Sequence, residues 1–179
     1  ELSMECEPLA RSEAISTASV LGTRVEVELE EPGLVVLETD ADPSALGQRL
    51  ALCHCISEHL FSCPPSELYE SMREVDVPGP IRVHATRVQG LLNGLDLAKV
   101  NSELGALLGE GRGVDIHEPA SEVRIVLSKQ ANVARCLVKI DRPSFEARKV
   151  QNLPFRYPIT IHPKFARALA NLARVRPGG

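Results

Sequence analysis

Seven basic side chains, Lys129, Arg135, Lys139, Arg142, Arg148, Lys149 and Arg156, fall within 28 residues of this 179-residue chain, and Phe145, Phe155 and Tyr157 are interleaved with them. Lys and Arg neutralise phosphates, and aromatic rings stack on unpaired bases, so the chemistry open to this tract is capture of looped or single-stranded nucleic acid. The bland alternative makes Arg135 and Lys139 solvent-face strand residues and Phe145 and Phe155 core. Within the tract the expected RNA contacts are Arg142, Phe145, Arg148, Lys149 and Arg156. Arg87, near the end of one strand, and Lys129, just past another, should join them if those strands pair.

Other groupings carry less chemistry. Cys53, His54, Cys55, His59 and Cys63 lie close in sequence, but they lack the C-x2-C spacing or paired knuckles of a zinc site, and cysteine is also a common buried hydrophobe. No metal ligand set is expected. The glycine-rich GEGRG (109–113) is followed by VDIHEP, which is strand- or turn-like, whereas a phosphate loop needs a helix N-terminus there. A helix end and turn fits better. NLPF (152–155) superficially resembles the Asn-Pro-Pro-aromatic motif of amino-methyltransferases, yet no glycine-clustered cofactor loop precedes it, and it is read as linker. The five histidines, His54, His59, His84, His117 and His162, are scattered, and there is no G-x-S-x-G and no HExxH. This sequence is therefore expected to contain no catalytic residues and to bind no cofactor.

Charge is distributed unevenly. The net charge is −4, but residues 1–80 carry four basic and sixteen acidic side chains, residues 81–179 carry sixteen and eight, and from Val123 onward the balance is twelve to two. Such asymmetry suggests that one half meets a polyanion. The acidic half is expected to be a spacer and interface. Apolar residues make up 44% and charged residues 25%, which excludes a collagen-like or low-complexity chain. No apolar run approaches the roughly 18–20 residues of a membrane-spanning helix. Five cysteines are an odd number and form no disulfide framework. With no signal-peptide pattern after Glu1, the expectation is a trimmed cytoplasmic protein.

The elements that must position these residues can be read from periodicity. ELSME suggests the tail of a strand, and residues 7–21 a helix stopped at Gly22. Residues 24–30 and 34–40 form a hairpin around Pro32-Gly33, and a second helix begins at Asp42-Pro43. CHCISEHLF (53–61) reads as a strand. The order β-α-β-β-α-β within residues 1–63 is that of a ferredoxin-like domain. Pro64-Pro65 and Pro78-Gly79-Pro80 bracket a short helix and mark a boundary. Then come a strand at 81–88, a helix over 91–108, three β segments (GVDIHEP, EVRIVLSK and VARCLVKID), a basic linker and a helix beginning near Pro163. Val25, Val27, Leu29, Val35 and Leu37 should build one core, and Ile81, Val83, Val123, Ile125 and Leu127 a second.

The phrases IRVHATRV, GVDIHEPASEVRIVLSK, VARCLVKIDRPSFEARK and FRYPITIHPKFARALANLARVRPGG resemble the archaeal tRNA guanine-10 N2-methyltransferase family. Val114 to Leu127 is similar to the pattern of the THUMP domain shared by several tRNA-modifying enzymes. His162 to Gly179 looks like the family's linker and the helix that opens its methyltransferase domain. The resemblance is close from Ile81 onward and topological before it. It implies an α+β chain: a ferredoxin-like domain at 1–63, a THUMP RNA-binding domain at 64–155, and at 156–179 a linker and first helix of a methyltransferase domain that lies in cis beyond RPGG. The implied activity of the whole protein is S-adenosylmethionine-dependent methylation of a tRNA guanosine N2, with this region holding the acceptor end and its 3′ CCA. The family's cofactor loop and D-P-P-Y-type motif have no counterpart here. Two other readings stay open: a free-standing THUMP-type RNA-binding adaptor for a separate tRNA-modifying subunit, and an interaction domain whose basic face meets an acidic protein.

Overall fold

The computed structural model describes residues 1–152 and 160–176. Among these, six α-helices and two sheets make an α+β fold. The chain divides into two compact units that are discontinuous in sequence. The first comprises residues 1–30, 34–56 and the described residues from Val138 onward, and the second Glu31–Gly33 with Ser57–Leu137.

The first unit opens with Leu2 bridged antiparallel to Cys53, and Ser3 N–H donates to the Leu52 carbonyl at 2.8 Å. Helix α1 (Glu7–Leu21) follows. Its buried stripe is Ala10, Glu13, Ala14, Thr17 and Ala18, at the three- and four-residue steps that share a helix face. Small residues there let a neighbouring helix approach closely, and α6 (Pro163–Leu172) packs on α1 with Ala168 fully buried. Gly22 ends α1, and a Cβ there would lie 2.6 Å from an Asp40 carboxylate oxygen. The hairpin of β1 (Val25–Glu31) and β2 (Leu34–Thr39) turns at Gly33 with φ +82°. Helix α2 (Pro43–Arg49) is capped by Asp42, which accepts from Ala45 N–H, and Pro43 opens it.

The core expected from β1 and β2 is different in the structure. Val27 is 40% exposed, and Val25, Val35 and Leu37 only flank a core built from Leu2, Ala10, Ala14, Ala18, Leu46, Leu50, Leu52, Ile140, Phe145 and Ala168. Alternation alone could not say that β1 and β2 would form a two-stranded sheet, with no further strand among the described residues to extend the buried face.

The second unit holds the four-stranded sheet, in the order β3-β6-β5-β4. Its strands are β3 (Cys55–Cys63), β4 (Ile81–Arg87), β5 (Ser121–Leu127) and β6 (Ala131–Lys139). β3 and β6 each begin or end a residue or two across the unit boundary, at 56/57 and 137/138. The strand assigned from sequence to the first domain thus contributes mainly to the second unit, and the expected boundary at 63/64 coincides with neither. β4 and β5 pair in parallel, Ile81 with Ser121 through Arg87 with Leu127, and β5 and β6 pair as an antiparallel hairpin. Helix α4 (Leu97–Gly109) supplies the crossover that parallel pairing requires and buries Val100, Leu104 and Leu108 on the sheet. Ile81, Val123, Ile125 and Leu127 are fully buried in this core and Val83 packs against it, as the sequence indicated.

Two segments of the second unit depart from their sequence reading. Helix α4 begins at Leu97 rather than 91, because Leu92 adopts φ +48° and Asp96 caps Ala98 and Lys99 N–H at 2.9 and 3.3 Å. GVDIHEP contributes a single bridge, Val114 to Ile81, rather than a strand. Gly111 and Gly113 take positive φ there, and the Asp115 carboxylate accepts from His117 and Glu118 N–H at 2.8 and 3.0 Å, so side-chain turns replace the ladder. Short α3 (Leu68–Ser71) closes the same core through Leu68.

One acid-sensitive contact follows from the first unit. The Thr23 hydroxyl, then Arg24 and Thr23 N–H, hold the Asp40 carboxyl down to about 2. An unfolded aspartate titrates at about 3.9, so this contact stabilises the fold above that pH and is lost as pH falls through about 2. Asp40→Asn should be less stable than the unaltered protein at neutral pH, with the gap closing between about pH 4 and 2. Urea melts at several pH values read this directly, and a gap independent of pH would contradict it.

Candidate nucleic-acid interface

Helix α5 (Arg142–Ala147) occupies what sequence read as linker. Asp141 caps it by accepting Ser144 N–H at 3.3 Å, and Pro143 stands in its first turn. The fold then gathers cations around α5 and the start of α6, all within the first unit. Arg142 Nη1 donates to His54 Nδ1 at 2.8 Å. Arg148 lies over the Phe145 ring at 4.8 Å and donates from Nε to the Ser144 carbonyl at 2.9 Å. Lys149 pairs with Glu146, and Lys164 with Glu5. His162 caps α6 by accepting Lys164 N–H at Nδ1, 3.3 Å, and its Nε2 faces a Glu146 oxygen at 3.3 Å. Ala51, Arg142, Pro143, Phe145, Glu146 and Lys164 line a half-open pocket of about 440 Å³.

These cations act on the carboxylates beside them. Lys164, chiefly through its hydrogen bond, holds the Glu5 carboxyl below its ordinary value, and Arg142 and His162 add to it. Lys149 does the same for Glu146, helped by His162 and Lys164.

The sequence-chosen residues are therefore not one patch on one domain. Arg142, Arg148 and Lys149 share the first unit with Phe145, which is 7% exposed and belongs to the core. Its ring is a packing element beneath Arg148, not a platform open to a base. Arg87 and Lys129 belong to the second unit. Arg87 is committed to the Leu92 and Leu95 carbonyls at 3.4 and 3.0 Å, and Lys129 is exposed. Arg156 lies outside the described residues, as do Phe155 and most of NLPF. Lys164 and His162 were missed, since fifteen residues separate Lys164 from Lys149 and only the docking of α6 brings them together.

The charge asymmetry also dissolves on folding. Because the basic C-terminal stretch joins the acidic N-terminal one, the described residues of the first unit include eleven basic and twelve acidic ones, and those of the second eight and twelve. The concentration of basic side chains is thus local to α5, α6 and the residues flanking them.

The other groupings are engaged in local contacts. Cys53, Cys55 and Cys63 are buried, burial pushes the Cys53 thiol up to about 12, and His54 is turned to Arg142 while His59 meets Ser62 Oγ at 2.9 Å. Exposed Glu26, Glu28 and Glu38 lie near one another, and Arg24 pairs with Glu26 and Glu38. GEGRG is the end of α4 and a turn, with Arg112 and Gly113 N–H donating to the Gly109 carbonyl at 3.0 and 2.8 Å. Those N–H groups are used internally, so the loop does not fit a nucleotide cofactor.

Comparisons with known proteins bear on this arrangement. The chain is 29% identical over 137 residues to the tRNA (guanine(10)-N2)-dimethyltransferase of Methanothermobacter thermautotrophicus, a match covering 74% of this chain and 41% of that protein. The chain thus spans about two fifths of the length of this curated relative. No family model matches. Its fold is similar to that of PH1313 from Pyrococcus horikoshii Ot3, with a TM-score of 0.51 at 12% identity, covering 78% of this chain and 51% of that one. TrmN from Thermus thermophilus aligns with a TM-score of 0.48 at 23% identity, over 79% of this chain and 47% of that chain. No helix among the described residues is long and apolar enough to cross a membrane.

Proposed function

We propose that this chain is the tRNA-holding region of a cytoplasmic tRNA guanine-N2 methyltransferase, a ferredoxin-like and THUMP pair that carries no catalytic residue itself. The observation that supports it most is the 137-residue match to a tRNA (guanine(10)-N2)-dimethyltransferase. The cations on α5 and α6 supply the means. In this reading the tRNA acceptor end with its 3′ CCA is the ligand, and a catalytic domain in cis binds S-adenosylmethionine.

The test is binding of the 179-residue chain to tRNA with and without its 3′ CCA, across about 50–200 mM salt. A phosphate-gripping surface loses affinity steeply over that range, because released counterions drive the binding. Arg148→Glu with Lys149→Glu should weaken tRNA binding at least about tenfold, or about 1.4 kcal/mol. The same double variant should lose less than about 1 kcal/mol of stability, since the Lys149 pair is a surface one and Arg148 gives up only its cover over Phe145. Glu26→Lys should change binding little. Undiminished affinity in the double variant would move the RNA surface off α5.

A further inference from the structure

We infer that the pocket between Arg142 and Lys164 is a phosphate subsite that receives one phosphate of a bound RNA strand. This rests on the tRNA-holding reading above and narrows it from a basic surface to a built position. Arg142 is half-buried and donates to an imidazole nitrogen of His54 rather than to a carboxylate. The Lys164 side chain is 13% exposed, held against the Phe165 ring at 5.1 Å, so its ammonium is fixed at the rim of the pocket. The carboxylates now serving the cluster are its more exposed partners: Glu5 and Glu146 side chains are 48% and 54% exposed. Ion pairs whose carboxylate stands in water hold weakly, so both carboxylates can swing into water when a stronger anion arrives. A phosphate offers several acceptor oxygens and can engage both cations together, where each carboxylate serves its own lysine.

His162 adds a donor. Its Nδ1 accepts the Lys164 N–H, which places the ring hydrogen on Nε2, facing the position Glu146 would vacate. The remaining walls, Ala51, Pro143 and Phe145, are apolar and suit a sugar rather than a second charge. At about 440 Å³ the pocket has room for a phosphate with its ribose. An internal phosphodiester and a terminal phosphomonoester present the same oxygens, so the experiment must separate them.

The experiment uses the whole 179-residue chain. Inorganic phosphate, 5′-phosphorylated and 5′-hydroxyl oligoribonucleotides, tRNA and poly-glutamate are titrated against the unaltered protein, Arg142→Gln with Lys164→Gln, and Glu5→Gln with Glu146→Gln. Removing the cations should weaken tRNA and inorganic phosphate about tenfold, the effect of losing charge-assisted hydrogen bonds. Removing the carboxylates should tighten both about threefold or more, a gain that a merely damaged fold would not produce. Dependence on the 5′-phosphate identifies a strand end, and equal affinity for both oligonucleotides an internal phosphate; either supports the subsite. If the unaltered protein binds tRNA and neither variant pair moves the affinity, the subsite is wrong while the tRNA reading stands. If phosphate binds but tRNA does not, the tRNA reading fails and the RNA assignment with it. Equal binding of poly-glutamate with the same variant pattern would assign the pocket to an acidic protein and overturn the inference.

Discussion

Glu13→Ala is expected to destabilise the first unit by about 3 kcal/mol or more, since buried donors left without an acceptor cost about 1–3 kcal/mol each. Glu13 is fully buried on α1, and its carboxylate accepts from Ala51 N–H at 3.0 Å, Leu52 N–H at 2.9 Å and Asn171 Nδ2 at 2.8 Å. It ties three segments together: α1, the chain after α2, and α6. Arg49 strengthens the same junction by donating to Asn171 Oδ1 and to the Val175 carbonyl. Amide hydrogen exchange should therefore rise along α6 in this variant before it rises in α1.

Burial pushes the Glu13 carboxyl above its ordinary value, against the opposing pull of Asn171 and the two amides. A folded carboxyl with a raised pKa binds its proton more tightly than the unfolded one, so stability is fullest below the unfolded value of about 4.3 and declines as pH rises through the folded value. Glu13→Gln has no such titration, and its stability relative to the unaltered protein should improve from about pH 4 toward neutrality. Denaturant melts at matched pH values check both statements. An alanine variant with an unchanged midpoint would remove Glu13 from its structural role.

Ile125→Ala should cost about 2–5 kcal/mol, the range for deleting a large aliphatic side chain from a core that cannot collapse around the gap. Ile125 lies on the inner strand β5 and is completely buried beneath α4 with Val123, Leu127 and Leu104. Val27→Ala, on β1, should stay within about 0.5 kcal/mol, the usual size of a surface change. Both residues sit in alternating runs, so the pair tests whether sheet context rather than pattern sets the energy. Comparable losses at the two sites would show that β1 is buried in solution.

Much of this molecule was readable from local chemistry. Gly22, Pro32-Gly33, Asp42-Pro43 and Pro163 punctuate the chain where the helices and the hairpin begin or end, because capping and positive φ are demands of the backbone within a few residues. The β4 and β5 residues that form the second core were legible for a related reason. Short apolar strands around an amphipathic helix have one efficient way to bury their shared face.

The non-local pairings were decided only by tertiary structure. Nothing in CHCISEHLF indicates that it pairs with β6 rather than with β1 or β2, because strand partners are selected by burial and register across the whole fold. The candidate site has the same character. Arg142, Arg148 and Lys149 stand together in sequence and declare a basic tract, but tract membership is one-dimensional. Lys164, His162, His54 and Glu5 come from segments up to 159 residues apart in the chain. They meet because Ala10, Ala14 and Ala18 admit α6 against α1 and Glu13 anchors it through Asn171. Lysine and arginine types were visible in the sequence, but a pocket exists only once packing and a buried carboxylate have brought those helices into contact.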